Sequence, residues 1–267
     1  MSDSKETVSI SKDCVACGCC VKACAINAIS IYKGMYAVVD EKKCVRCGRC
    51  SMACPASLIS IDPKGKRKKS GKKSWRDYFW ISSSAYLILG FFNILFAWLG
   101  LVCFMTPLLI SIIKGNKAYC NKYCGRGQIF ENLGGKLGIS LGNKPPKFLS
   151  SKWFRYGFLT FFMSMFALMI YRTYLVYAGA PLQEVVTLLW VFKIPWGWTL
   201  FAPANGYASV VAPWIAQFAF GFYGVMLTST VLGLVTMILC KPRTWCIYCP
   251  MGTMTQGICT IKNRKKK

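Results

Sequence analysis

From Tyr78 to Ile113 the chain runs through 36 positions without a single Lys, Arg, Asp or Glu. One helix over that run would be about 54 Å long, against a hydrocarbon core of about 30 Å, so it must fold back on itself. The corner is predicted near Trp98-Leu99-Gly100, giving helices over 78–97 and 100–113, with Pro107 as a kink in the second. Two more apolar runs, 153–178 and 213–240, are each long enough to cross a membrane. The first sixty residues follow another pattern. Ala28-Ile29-Ser30-Ile31 and Leu58-Ile59-Ser60-Ile61 are short alternating stretches and predict two small strands. The expected architecture is α+β: a small head over 1–62, a linker over 63–77, and an all-α transmembrane domain of four helices over 78–267.

Charge sharpens this division. Of 34 basic residues 26 lie beyond residue 62, but only 3 of the 9 acidic ones, and those basic residues flank the apolar runs. Segments 64–76, 114–155 and 241–267 are all rich in Lys and Arg, whereas 179–209 carries Lys193 alone, balanced by Glu184. Such asymmetry orients a membrane protein, placing the three basic segments in the cytoplasm together with the head and both termini. It argues for contact with membrane lipid and against nucleic acid. The tract Lys64–Lys73 is expected to meet anionic headgroups and to attract acidic redox proteins. Trp190, Trp196, Trp198 and Trp214 fall on the opposite side, as an interfacial belt or a quinone or substrate pocket. Arg172, near the outer end of the third run, is expected to snorkel or to close a helix terminus rather than to bind a ligand.

The chain contains 16 cysteines and no histidine. Haem held by two imidazoles, Rieske centres and His-based zinc or copper sites are thereby excluded. Cys14-x2-Cys17-x2-Cys20-x3-Cys24 recurs as Cys44-x2-Cys47-x2-Cys50-x3-Cys54-Pro55. Three closely spaced thiolates can wrap one corner of an iron–sulfur cube while the fourth crosses to the other cube. Two [4Fe-4S] clusters are therefore expected, one on Cys14, Cys17, Cys20 and Cys54, the other on Cys44, Cys47, Cys50 and Cys24. Zinc needs four ligands per site, and a disulfide framework belongs with an export signal, which the chain does not show. Residues 8–62 resemble a bacterial two-cluster ferredoxin throughout. Ala25 replaces the Pro expected after the first run, and Cys19 is an extra thiol, read as a small buried side chain or a redox-sensitive substitute ligand.

A second repeat lies in the apolar part. Tyr119-Cys120-x2-Tyr123-Cys124-Gly125-x-Gly127 follows the second span, and Trp245-Cys246-x-Tyr248-Cys249-Pro250-x-Gly252 follows the fourth. This predicts two duplicated helical hairpins, each bringing a Cys pair to the cytoplasmic boundary. Cys120, Cys124, Cys246 and Cys249 are the expected ligands of a further metal or Fe–S centre, with a redox-active thiol pair or simple packing as the other readings. Cys103, Cys240 and Cys259 are expected to pack as apolar side chains.

Paired Cys motifs after even-numbered spans, in a His-free chain with two ferredoxin runs, resemble the NapH/NosR type of membrane polyferredoxin. That resemblance implies electron transfer between the quinone pool or a cytoplasmic donor and redox partners at the membrane. The chain departs from the usual C-x3-C-P motif in both copies, and carries its ferredoxin runs at the N-terminal side. No nucleotide-binding glycine motif or general base is visible. The expected function is an electron-transfer subunit linking a donor such as ferredoxin or flavodoxin to a quinone, flavoprotein or partner subunit. A thiol–disulfide relay and a redox-sensing scaffold are the rival readings.

Overall fold

The computed structural model describes residues 8–11, 13–61, 75–189, 191–195 and 207–264. The basic tract 64–73 and Trp190, Trp196 and Trp198 lie outside them.

The head is a thirty-residue unit used twice. Strand β1 (Ser9–Ile10) is followed by helix α1 (Cys19–Ala23), the hairpin β2 (Ile29–Tyr32) and β3 (Tyr36–Val39), helix α2 (Arg49–Ala53) and β4 (Ile59–Ser60). β1 pairs antiparallel with β4, and β2 with β3. The repeat is written in the backbone. Ala16, Gly18 and Asn27 have positive φ, and so do Arg46, Gly48 and Ser57, each thirty positions later. A left-handed residue disfavours a side chain, so these positions mark where the chain is forced to wrap tightly. Ile29, Ala37 and Ile59 close a core with Cys20, Cys50 and Cys54, so the strands cover the cysteine loops from one side.

The remainder is predominantly helical. Helix α3 (Phe79–Phe92) leads through a 3-10 turn at Ile94–Phe96 into α4 (Ala97–Lys114), and then come the short α5 (Ala118–Lys122), α6 (Gly125–Glu131) and α7 (Lys147–Ser150). The long α8 (Lys152–Tyr177) and α9 (Pro213–Leu239) are separated by a hairpin of β5 (Val185–Leu188) and β6 (Phe192–Pro195), and α10 (Trp245–Tyr248) and α11 (Pro250–Arg264) complete the fold.

Three stretches, Ile94–Lys114, Lys152–Tyr177 and Pro213–Leu239, are long and apolar enough to cross a membrane. The expected first span, 78–97, is instead the 14-residue α3, about 21 Å long and shorter than the hydrocarbon core. The corner lies at Asn93 rather than at Trp98–Gly100. Asn93 is extended, and its side-chain oxygen accepts from Leu95 N at 3.0 Å, a cap that stops one helix and starts the next. Gly100 sits inside α4, where an added Cβ would lie 3.0 Å from Phe222, so that glycine permits helix packing rather than a turn. Pro107 likewise lies within α4. The expectation of an all-α membrane part is corrected by β5–β6, whose strands are each only four residues long.

α9 is the most buried of the three long helices. Its glycines let neighbours approach: a Cβ on Gly221 would meet Met169 of α8 at 2.4 Å, one on Gly224 would meet Thr187 O at 2.7 Å, and one on Gly233 would meet Phe130 at 2.3 Å. The Thr187 contact is to backbone, which cannot swing aside. Gly224→Ala should therefore displace the β5–β6 hairpin and cost about 1–3 kcal/mol, read as a lower thermal unfolding midpoint of the detergent-solubilised protein. An unchanged midpoint would contradict the packing described.

Candidate metal centre

Each Cys pair of the second repeat sits where a short helix breaks into the next. Cys120 lies on α5, and Cys124 precedes α6 in extended conformation. Cys246 lies on α10, and Cys249 occupies the junction before α11. Gly125 and Pro250 thus hold equivalent first positions of the following helices, a place proline favours. The first copy lacks proline for a steric reason. A Cβ at Gly125 would lie 2.1 Å from Ser83 Oγ and 2.5 Å from Phe79 O, so α3 presses on this site too closely for any side chain.

The two copies converge. Cys120, Cys124, Cys246 and Cys249 line one cavity of about 100 Å³, joined by Cys103 from α4 and by Cys17 from the head. Among the described residues no group of three or more His, Cys, Asp or Glu is gathered tightly enough for a single metal ion. Burial pushes the thiol of Cys120 up to about 12, and it pushes those of Cys246 and Cys249 up as well, because a dry site disfavours thiolate. Two cations border the same space. Lys117, 3% exposed, donates to Val15 O at 2.7 Å. Arg126 donates to Ser229 Oγ at 2.6 Å, and to Tyr86 OH and Met226 Sδ at 3.1 Å. A donor set of soft thiols with fixed cations around it suits an anionic iron–sulfur cluster held by four thiolates.

Two further thiols bear on the site. Cys103, read as packing, lines the cavity and lies 3.0 Å from Tyr119 OH. Cys19 is buried, as expected, but at the seam between head and body. Cys17 Sγ donates to it at 3.4 Å and Arg243 approaches at 3.4 Å; these contacts draw the Cys19 thiol down to about 6. Cys240 and Cys259 are buried away from the cavity.

The head is seated on the body by side chains that end on its cysteine loops. Lys241 Nζ donates to Cys54 O at 2.9 Å, and Gln256 Nε2 donates to Cys14 O at 3.0 Å and to Met35 O at 2.8 Å. Arg155 donates to Gln256 Oε1 at 2.7 Å and so fixes which way that amide points. Val15, Cys17 and Ala56 pack with Trp245, Ile247 and Tyr248. None of this inter-domain contact was visible in the cysteine spacing, since its donors are scattered and unremarkable in sequence.

A family model described as a 4Fe-4S binding domain matches residues 37–60. A second, also described as a 4Fe-4S binding domain, matches residues 96–144 and 222–267, segments that contain both Cys pairs of the cavity. No curated protein and no solved structure matches the chain. The chain therefore carries 4Fe-4S binding domains in both its head and its helical part.

Lys22 Nζ of the head lies 3.7 Å from Glu131 Oε2 of α6, both partly exposed. A zero-length carbodiimide reagent should join them in the intact protein. Gln256→Ala, which removes two hydrogen bonds to the head and strands the buried Arg155, should cost about 1–3 kcal/mol of docking. The cross-link yield should fall as limited proteolysis frees the head. Undiminished cross-linking in that variant would show that the head is held by other contacts.

Proposed function

We propose that this chain is a membrane-bound iron–sulfur electron-transfer protein, relaying electrons between a cytoplasmic donor and a membrane acceptor such as a quinone, a flavoprotein or a partner subunit. One observation carries the reading: Cys17 of the head opens onto the same cavity as the four cysteines of the second repeat. A ligand of the head and the candidate ligands of the body thus share one water-poor space.

Cys14, Cys17, Cys20 and Cys54 would hold a [4Fe-4S] cluster on the side of the head that faces the body. Cys44, Cys47, Cys50 and Cys24 would hold one on the far side, where Val45 and Met52 are exposed. Cys120, Cys124, Cys246 and Cys249 would hold a further centre. An iron–sulfur cluster, when bound, supplies reversible one-electron chemistry. The residues around the cavity supply the rest. Lys117 and Arg126 offset negative charge on the thiolates, Tyr119 positions Cys103, and Trp245 and Tyr248 close the site beneath the head. A single zinc ion is disfavoured because four sulfurs about 2.3 Å from one point would have to cluster tightly, and the described residues contain no such cluster.

The resemblance to NapH/NosR-type polyferredoxins agrees with this role. The proline missing from the first copy is accounted for by the pressure of α3 on Gly125; the two-residue gap of the second copy has no structural explanation. The charge pattern favours a cytoplasmic location for the head and for all three basic segments.

Intact protein purified anaerobically should contain more iron than the eight atoms of the head. Cys124→Ala and Cys249→Ala should each remove the excess while the spectrum of the head is retained. Iron limited to eight atoms, with both variants still passing electrons to the membrane, would overturn the shared centre.

Topology is tested separately with single cysteines introduced at Ser140 and Ser209. An impermeant reagent should label only Ser209→Cys in intact cells. Labelling of Ser140→Cys would overturn the assignment of sides.

A further inference from the structure

Away from the cysteines, α8, α9 and the β5–β6 hairpin enclose a second cavity of about 440 Å³. It exists because glycine lets the elements meet at its floor. Gly221 admits Met169, and Gly224 admits the backbone of Thr187. The hairpin divides its side chains by strand alternation. Val186 and Ile194 enter the core beside Tyr207 and Phe220, while Thr187 and Lys193, paired across the strands, face the cavity. Val225 of α9 borders this space and Met226 the cysteine cavity, and the two cavities share no lining residue.

Its polar lining consists mainly of donors. Arg172 of α8 and Lys193 of β6 both border it, and neither side chain has an ion pair or hydrogen bond among the described residues. Gln217, 6% exposed, also lines it. Its Oε1 is occupied by Gln183 N at 3.0 Å, which leaves its NH2 group as the free donor. The nearest acid in sequence, Glu184, is engaged with Tyr207 N at 2.9 Å and does not line the cavity.

Sequence statistics make the two cations more telling. Between Arg155 and Lys241 the chain has no Lys or Arg except Arg172 and Lys193. The charge rule that orients membrane proteins disfavours cations on this side, yet both are brought to one cavity. Met165 and Leu168 of α8 extend the lining in an apolar direction. Arg172 is five residues from the end of α8, within snorkelling reach of the headgroup layer.

We propose that this cavity binds the phosphate headgroup of an anionic phospholipid. Arg172 and Lys193 hold the phosphate oxygens, the Gln217 NH2 donates to one of them, and the acyl chain lies along Met165 and Leu168. The proposal rests on the membrane reading of the long helices, and a soluble phosphate ion would offer the same oxygens to the same donors.

The test uses the full-length protein in neutral detergent, with phosphatidylglycerol, phosphatidylcholine and inorganic phosphate as probes in native mass spectrometry. Wild type should retain phosphatidylglycerol over phosphatidylcholine, and Arg172→Gln/Lys193→Gln should lose that preference by about thirtyfold. Arg172→Lys, which keeps the charge, should retain most of it. Unchanged cluster absorbance of the head reports that the variants are folded. Equal retention by wild type and the double variant overturns the site, and inorganic phosphate retained as well as the lipid overturns the lipid as its ligand. Extraction of membranes with carbonate is scored independently: release of wild type would overturn the membrane reading without altering the phosphate comparison.

Discussion

A water-poor cavity crowded with sulfur sets conditions that the surrounding protein has to meet. Thiols buried there resist ionisation, and thiolates buried there need positive charge close by. Lys117, buried, and Arg126, half-buried, both border the cavity, and each is tied by hydrogen bonds. Arg126 spends its donors on Ser229, Tyr86 and the sulfur of Met226, so α3, α6 and α9 are drawn together through one guanidinium. Lys117 ends on Val15 O, which makes the head part of the same charge arrangement.

The head's seat on the body follows from the same requirement. Cys17 reaches the cavity because Val15 and Ala56 pack on Trp245 and Tyr248 and because polar side chains of the body hold the loops carrying Cys14 and Cys54. Arg243 lies between these regions, close to Cys19 and 3.8 Å from Glu131. In physical terms the boundary between head and body is a continuation of the interior of both.

Much of this was legible in the chain, and the omissions have identifiable causes. Cysteine spacing revealed both repeats because ligand geometry is local in sequence. It did not reveal Cys103, whose membership depends on how α4 passes the Cys pairs. Apolar length revealed the long helices but misplaced the first corner: Trp98 and Gly100 looked like a turn, whereas Asn93, a lone amide among aromatics, carried the capping signal. The β5–β6 hairpin was hidden because its strands are only four residues long and one face is apolar. Gly125 departs from the motif in sequence because Ser83 and Phe79 O occupy the space its side chain would need, a contact between distant segments.

The grip of the body on the head has a different kind of consequence. Lys117, Lys241, Gln256 and Asn263 all donate to head carbonyls, at Val15, Cys54, Cys14, Met35 and Lys33. A carbonyl is present whatever residue bears it, so these contacts read the path of the loop and are blind to most of its side chains. Such an interface tolerates substitution far better than insertion or deletion: the side chains at these positions are free to drift, while the lengths of the segments at Cys14–Val15 and at Cys54 answer to two requirements at once, the spacing of the cysteines and the reach of the neighbouring donors.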